Sequence, residues 1–272
     1  MNEHSSRGLV PTRFGQVHFR SRSGRIPILI FHINQQSSAL QLELMQALSP
    51  EFHSLAMDYP GYGMSDHSTQ EPSIEGYAEC AAALLDSLKI DSAYVIGEAV
   101  GSAVAAAFAR AYRSRTRGAI LLNCPLMPDK AYARDHLNTI RTTSRPTDPT
   151  GFPLLGQLDQ LLSTNAEHLP LKPTQSWMDR INVALAECGR DRFQAADALL
   201  KFDLRETLSA LRCPTLLLTA ELSPFTAYRS DAEATIKGVE SHVIPACRFG
   251  MAWEQAGPIS VHVKQFAQSN SG

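Results

Sequence analysis

Short, unbroken apolar runs alternate along the chain with segments whose apolar residues recur at helical spacing. That alternation predicts a mostly parallel sheet wrapped by helices. Ile26-Pro27-Ile28-Leu29-Ile30-Phe31 reads as a strand buried on both faces, and Ser38 to Leu48, with Leu40, Leu42, Leu44 and Met45, reads as a helix. His53–Met57 predicts a second strand, closed by Asp58-Tyr59-Pro60-Gly61-Tyr62-Gly63, and a long helix follows from about Ile74 to Leu88. Ser92–Ile96 predicts a third strand, Gly97 to Gly101 a tight turn, and an alanine-rich helix continues to about Ala111, before a strand over Gly118–Leu122.

From about Pro125 to Arg205 the strand signal vanishes, and helical stretches are interrupted by Pro146, Pro149, Pro153, Pro170 and Pro173. The rhythm returns with Pro214–Leu218, then His242–Ile244, then a helix over Ile259–Gln268. The pattern divides the chain into a first core segment (1–124), an inserted helical cap (125–205) and a second core segment (206–272).

Composition narrows the class further. The 272 residues are 44% hydrophobic and 19% charged with a formal net charge of -2, a globular balance without a single-signed field for nucleic acid or an acidic membrane surface. No apolar run reaches the length needed to cross a bilayer, and Met1–Arg7 has no apolar core of a signal peptide. Cys80, Cys124, Cys188, Cys213 and Cys247 form no close pair, which fits a reduced, cytoplasmic compartment. A P-loop, a dinucleotide fingerprint and a spaced His/Cys metal set are all missing, so no cofactor and no metal are expected.

The motif that carries chemistry is Val95-Ile96-Gly97-Glu98-Ala99-Val100-Gly101. It has the frame of a nucleophile elbow, Gly-x-Ser-x-Gly, in which a sharp strand-to-helix turn holds the central residue above the sheet and glycines relieve the crowding beside it. The glycines are present; the central residue, Ala99, has no nucleophilic atom. With His32 at the end of the first predicted strand and Asp58-Tyr59-Pro60-Gly61-Tyr62-Gly63-Met64-Ser65 after the second, the chain resembles the α/β-hydrolase superfamily over roughly residues 12 to 268.

That resemblance implies where a Ser-His-Asp triad would sit. The acid usually follows the Pro-Thr-Leu strand by about nine residues, which from Pro214 falls on Ser223; Glu221 is near but two residues out of register. The histidine usually precedes a Glu by about five residues, which from Glu254 falls on Phe249. Ala99, Ser223 and Phe249 thus stand where Ser, Asp and His are expected, and Ile33-Asn34 follows His32 where a glycine is usual. One replacement would fit a protein altered to trap a substrate; three fit a natural departure. Within the superfamily the chain is similar to the non-catalytic NDR (N-myc downstream-regulated) branch, although that branch has glycine where Ala99 stands.

Several residues nearby invite functional readings. Glu98 is a possible acid or base, although the equivalent position often supports the turn instead. His32 is a possible proton carrier or a shaper of its own loop. Ser102 is a possible substitute nucleophile, or a hydroxyl that satisfies free N–H groups in the first helical turn. Asp58 reads as the brace of its glycine-rich turn. Cys124 and Cys247 follow strands at the end where pockets form, yet read better as small buried hydrophobes. His136 and His168, in the cap, read as surface histidines.

Serine hydrolysis needs a nucleophile, a base and an orienter, so conventional hydrolase activity is not expected. The first reading is a pseudo-hydrolase that binds a small apolar molecule between core and cap, with His32, Ile33, Asn34, Ala99, Val100, Cys124 and Phe249 as contacts. The alternative is a non-hydrolytic enzyme of lyase, isomerase, cyclase or cofactor-free oxygenase type, acting on a small apolar carbonyl compound through oxyanion donors such as the Val100 N–H. A scaffold with a vestigial pocket is the third, and self-association as a homodimer is compatible with each.

Overall fold

The computed structural model of the protein describes residues 5–143, 146–159 and 170–270. In chain order the strands are β1 (Ser6–Thr12), β2 (Gly15–Arg22), β3 (Ile26–Phe31), β4 (Phe52–Met57), β5 (Ala93–Glu98), β6 (Thr116–Leu122), β7 (Thr215–Ala220) and β8 (Glu240–Ile244). The helices are α1 (Leu42–Leu48), α2 (Ile74–Ser87), α3 (Val100–Ala111), α4 (Lys130–Thr143), α5 (Gln175–Cys188), α6 (Gln194–Lys201), α7 (Leu204–Ser209), α8 (Arg229–Thr235), α9 (Met251–Glu254) and α10 (Ala256–Ser269).

All eight strands join one sheet in the order β1-β2-β4-β3-β5-β6-β7-β8. The pairs β1–β2 and β2–β4 are antiparallel, and every pair from β4 to β8 is parallel. The fold is α/β, the α/β-hydrolase architecture.

Strands buried on both faces need near-continuous apolar runs, and the central stretches of β3, β5, β6 and β7 meet that demand. Leu29, Phe31, Val95, Leu121 and Leu217 pack on one face against α2 and α3. Ile28, Ile30, Ile96, Ile120, Leu216 and Leu218 pack on the other against α1, α9 and α10. Each layer therefore follows from strand alternation alone.

The amino-terminal hairpin β1–β2 is a feature that the apolar pattern does not announce. The segment expected as one helix from Ser38 is a 3₁₀ turn, Ser38–Gln41, followed by α1.

Between β6 and β7 the described residues form helices and one isolated bridge, Thr147–Pro153. Definite contacts seat these helices on the sheet. Arg180 on α5 pairs with Glu43 at 2.6 Å and stacks over Trp253 at 4.2 Å. Glu254 accepts the main-chain N–H groups of Leu171 and Lys172 at 2.8 and 2.7 Å. Fully buried Tyr62 accepts the Ala195 N–H at the start of α6 at 3.0 Å, and its hydroxyl reaches the Arg192 carbonyl at 3.1 Å.

Candidate functional site

A cavity of about 710 Å³ lies over the carboxyl ends of β3, β5 and β6, beneath α4, α5 and α6, the place where open α/β sheets bind ligands. Its floor is the turn from β5 into α3. Ala99 there has φ 52° and ψ -115°, a conformation that L residues avoid and that marks strain held by its surroundings. Both glycines of the motif are fixed by sterics: a Cβ on Gly97 would lie 2.2 Å from the Gly101 carbonyl oxygen, and one on Gly101 would lie 2.4 Å from that of Phe31. Val100 opens the 12-residue α3, so its N–H has no acceptor inside the helix.

The Ala99 methyl is 6% exposed and packs with Ile33 and Phe225, against which Phe249, Met127 and Tyr228 also lean. The rings of Phe225 and Phe249 are 6.0 Å apart. The space above the elbow is thus hydrocarbon. Of the residues singled out in the sequence, Ile33, Asn34, Ala99, Val100 and Phe249 all border the cavity.

Others do not. His32 is completely buried and outside the cavity wall. Its Nδ1 donates to the Ile33 carbonyl at 2.7 Å, and its Nε2 accepts the Tyr59 N–H at 3.3 Å. Both nitrogens are committed to the main chain, which fixes the neutral tautomer, and burial lowers the imidazole pKa. The expectation of His32 as a proton carrier or ligand contact is therefore corrected: it shapes its loop.

Glu98 is 2% exposed and turns away from the cavity. Its Oε1 accepts from Asn123 Nδ2 at 3.0 Å and the Gly250 N–H at 3.0 Å, and its Oε2 accepts the Met251 N–H at 2.8 Å. Burial pushes this carboxyl up to about 7 against the pull of those donors. The reading of Glu98 as an acid or base toward the cavity is corrected too; it clamps the loop that carries Phe249.

Cys124, expected as a contact, is 4% exposed and absent from the wall, with its thiol pushed up to about 12 by burial. Cys247 is fully buried and likewise pushed up to about 12. Ser102 is fully buried, and its hydroxyl donates to the Ala99 carbonyl at 2.7 Å rather than accepting from free N–H groups.

Ser223 caps the 3₁₀ turn after β7 by accepting the Phe225 N–H at 3.2 Å, away from the cavity. Glu221 is exposed and accepts the Ala246 N–H at 2.8 Å. Asp58 braces its turn as the sequence suggested, taking His18 Nδ1 at 2.7 Å and the Met64 N–H at 3.1 Å. His136, expected at the surface, instead lines the cavity beside Phe225. His168 lies outside the described residues.

Asn123, Gln36, Trp177 and Tyr62 went unnoticed in the sequence. Asn123 has φ 45° and no exposure. Its Nδ2 donates to Glu98 and to the Arg248 carbonyl (3.1 Å), while its Oδ1 accepts the Ala220 N–H at 3.0 Å, tying β5, β6, β7 and the Phe249 loop into one knot. Only its place beside the elbow strand could have hinted at this.

The family model for the alpha/beta hydrolase fold matches residues 26–254, and the chain belongs to that family. Haloalkane dehalogenase 2 of Mycobacterium tuberculosis is 28% identical over 160 residues, covering 57% of this chain and 54% of that protein; the chain thus spans about half the length of that relative. A thermophilic esterase from Thermogutta terrifontis superposes with a TM-score of 0.76 at 20% identity, covering 97% of this chain and 99% of the other. An epoxide hydrolase from an endophytic Streptomyces gives 0.78 at 17%, covering 98% and 96%. These structural likenesses speak to the fold.

Proposed function

We propose that this chain is a pseudo-hydrolase that holds a small apolar molecule in the cavity between sheet and cap without hydrolysing it. One observation carries the reading: the elbow residue is Ala99, and the groups packed around it are Ile33, Phe225 and Phe249. The names of its relatives point to hydrolytic reactions. Such reactions need an attacking group and a base within hydrogen-bond reach, and the three triad positions here hold Ala99, Ser223 and Phe249. Within the superfamily we read this degenerate set as similar to that of the non-catalytic NDR branch. A non-hydrolytic enzyme is the second reading, favoured by one observation, the His136 imidazole in the wall.

The test is a serine-reactive fluorophosphonate and a panel of p-nitrophenyl esters, applied to the protein and to Ala99→Ser. Neither protein should be labelled stoichiometrically or release p-nitrophenol above buffer, because a hydroxyl at position 99 would sit among Ile33 and Phe225, with Phe249 in the position of the triad's histidine. Turnover by Ala99→Ser would show that a base has been overlooked; labelling of the unmodified protein would end the pseudo-hydrolase reading.

A further inference from the structure

The β1–β2 hairpin carries a buried charge that neither the sheet nor the cap puts to use. Arg20 is 8% exposed, and its one hydrogen bond among the described residues runs from Nε to Ser38 Oγ at 3.2 Å. Its Nη1 and Nη2 have no partner among those residues, yet neither nitrogen is sealed from solvent. Arg7 stands directly opposite Arg20 in the antiparallel pair, so the two side chains share one face of the sheet. Arg7 is exposed and makes no ion pair with a described residue. Burial lowers the Arg20 guanidinium pKa, and the neighbouring Arg7 charge lowers it further.

This arrangement is unfavourable as it stands. A buried cation without a counter-ion is poorly solvated, and like charges opposite one another on paired strands repel. The nearby carboxylates do not relieve it. Asp58 is committed to His18 and to the Ser38 and Met64 N–H groups. Glu43 is committed to Arg180. Glu187, near the end of α5, is close enough for Arg20 to feel its charge, yet it bonds to neither Arg7 nor Arg20. Burial raises the Glu187 carboxyl pKa, and Asp58 raises it further, which makes it a poor counter-ion. None of Arg7, Arg20 and Glu187 borders the cavity.

We propose that Arg7 and Arg20 form an anion site, apart from the cavity, that takes a phosphate group between their guanidinium groups. Two guanidinium groups on one face offer N–H donors to several oxygens at once, which suits a tetrahedral oxyanion better than a carboxylate with two. The site stands on the hairpin whether or not the cavity holds a ligand.

The test uses the full chain and inorganic phosphate as the probe, titrated calorimetrically with ionic strength held by sodium chloride. Binding should saturate, and phosphate at about ten times its Kd should raise the melting temperature by about 3 °C. Arg7→Gln and Arg20→Gln should each weaken binding about ten-fold. Without phosphate, Arg20→Gln should melt no lower than the unmodified protein, since it removes an unpaired buried charge. Glu187→Gln should bind phosphate more tightly. Flotation on phosphatidylcholine vesicles with and without phosphatidic acid separates two sources of the group. Flotation with phosphatidic acid that both arginine variants lose assigns a lipid head group; phosphate binding without flotation assigns a soluble phosphate ester. The proposal is overturned if phosphate gives no more heat than chloride, if acetate competes as well as phosphate, or if either arginine variant binds phosphate within about two-fold of the unmodified protein. Weaker phosphate binding by Glu187→Gln overturns it too, because Glu187 would then be helping to build the site. Should Arg20→Gln not fold, Arg7→Gln, at an exposed position, carries the same comparison.

Discussion

Replacing Asn123 with alanine tests whether the knot behind the elbow holds the site together. The substitution removes three hydrogen bonds at 3.0 to 3.1 Å. Glu98 Oε1 keeps the Gly250 N–H as a partner. The Ala220 N–H does not keep one: Ala220 is fully buried, and an orphaned donor there costs about 2 kcal/mol. Alanine tolerates φ 45° less well than asparagine does, by about 1 kcal/mol, and the lost packing adds roughly 1 kcal/mol. The sum is about 4 kcal/mol, at the upper end of what single substitutions do. For a chain of this length it should lower the melting temperature by roughly 10 °C.

Differential scanning fluorimetry and urea unfolding provide the readout. Asn123→Gly should recover about 1 kcal/mol, since glycine accepts the backbone angle. Asn123→Asp should be the worst of the three at pH 8, because it sets a second carboxylate against Glu98. A melting temperature for Asn123→Ala within about 2 °C of the unmodified protein would refute the knot as the brace of the site.

Two further outcomes follow from buried polar groups. The Glu98 carboxyl titrates at about 7 in the fold against 4.5 unperturbed, so between those values the folded state holds a proton that the unfolded chain releases. Stability should then fall as pH rises from about 4.5 to about 7, by roughly 3 kcal/mol from this group, and Glu98→Gln should flatten that slope in urea titrations at pH 5, 6 and 7.5. Tyr62→Phe removes the hydroxyl that meets Asn34, Arg192 and Ala195; it should cost about 2 kcal/mol and speed protease cleavage between β6 and β7, and an unchanged cleavage rate would count against Tyr62 as the cap's anchor.

Much of the fold is legible in the chain because parallel strands buried on both faces must be written as aliphatic runs. Ile26–Phe31 and Thr215–Leu218 announce themselves this way, and Gly97 and Gly101 stand where an added Cβ would lie 2.2 and 2.4 Å from a carbonyl oxygen. The β1–β2 hairpin escapes notice because β1 has a single fully buried residue, Val10, and so presents no apolar run.

The site is harder to read. Glu98 looks catalytic by adjacency, yet strand alternation puts it on the face of Tyr94 and Ile96, which pack with Met251 on the side away from α3. That period-two argument is available from sequence and would have redirected Glu98. His32, one residue past β3, escapes it: its ring lies 4.0 Å from that of Tyr59, and Tyr59 packs with the α2 side of the sheet. Gln36, His136 and Trp177 could not be found so, since loop and cap geometry decide which side chains meet over the sheet.

The central claim, binding without turnover, is tested most directly by mass spectrometry of a cellular metabolite extract incubated with the purified protein. Both depletion and retention are read against Ala99→Trp, which fills the cavity floor. The account predicts a small apolar compound retained at unchanged mass by the unmodified protein and lost from the tryptophan variant. A compound converted to a new mass by the unmodified protein, and not by that variant, would contradict it and make the chain an enzyme.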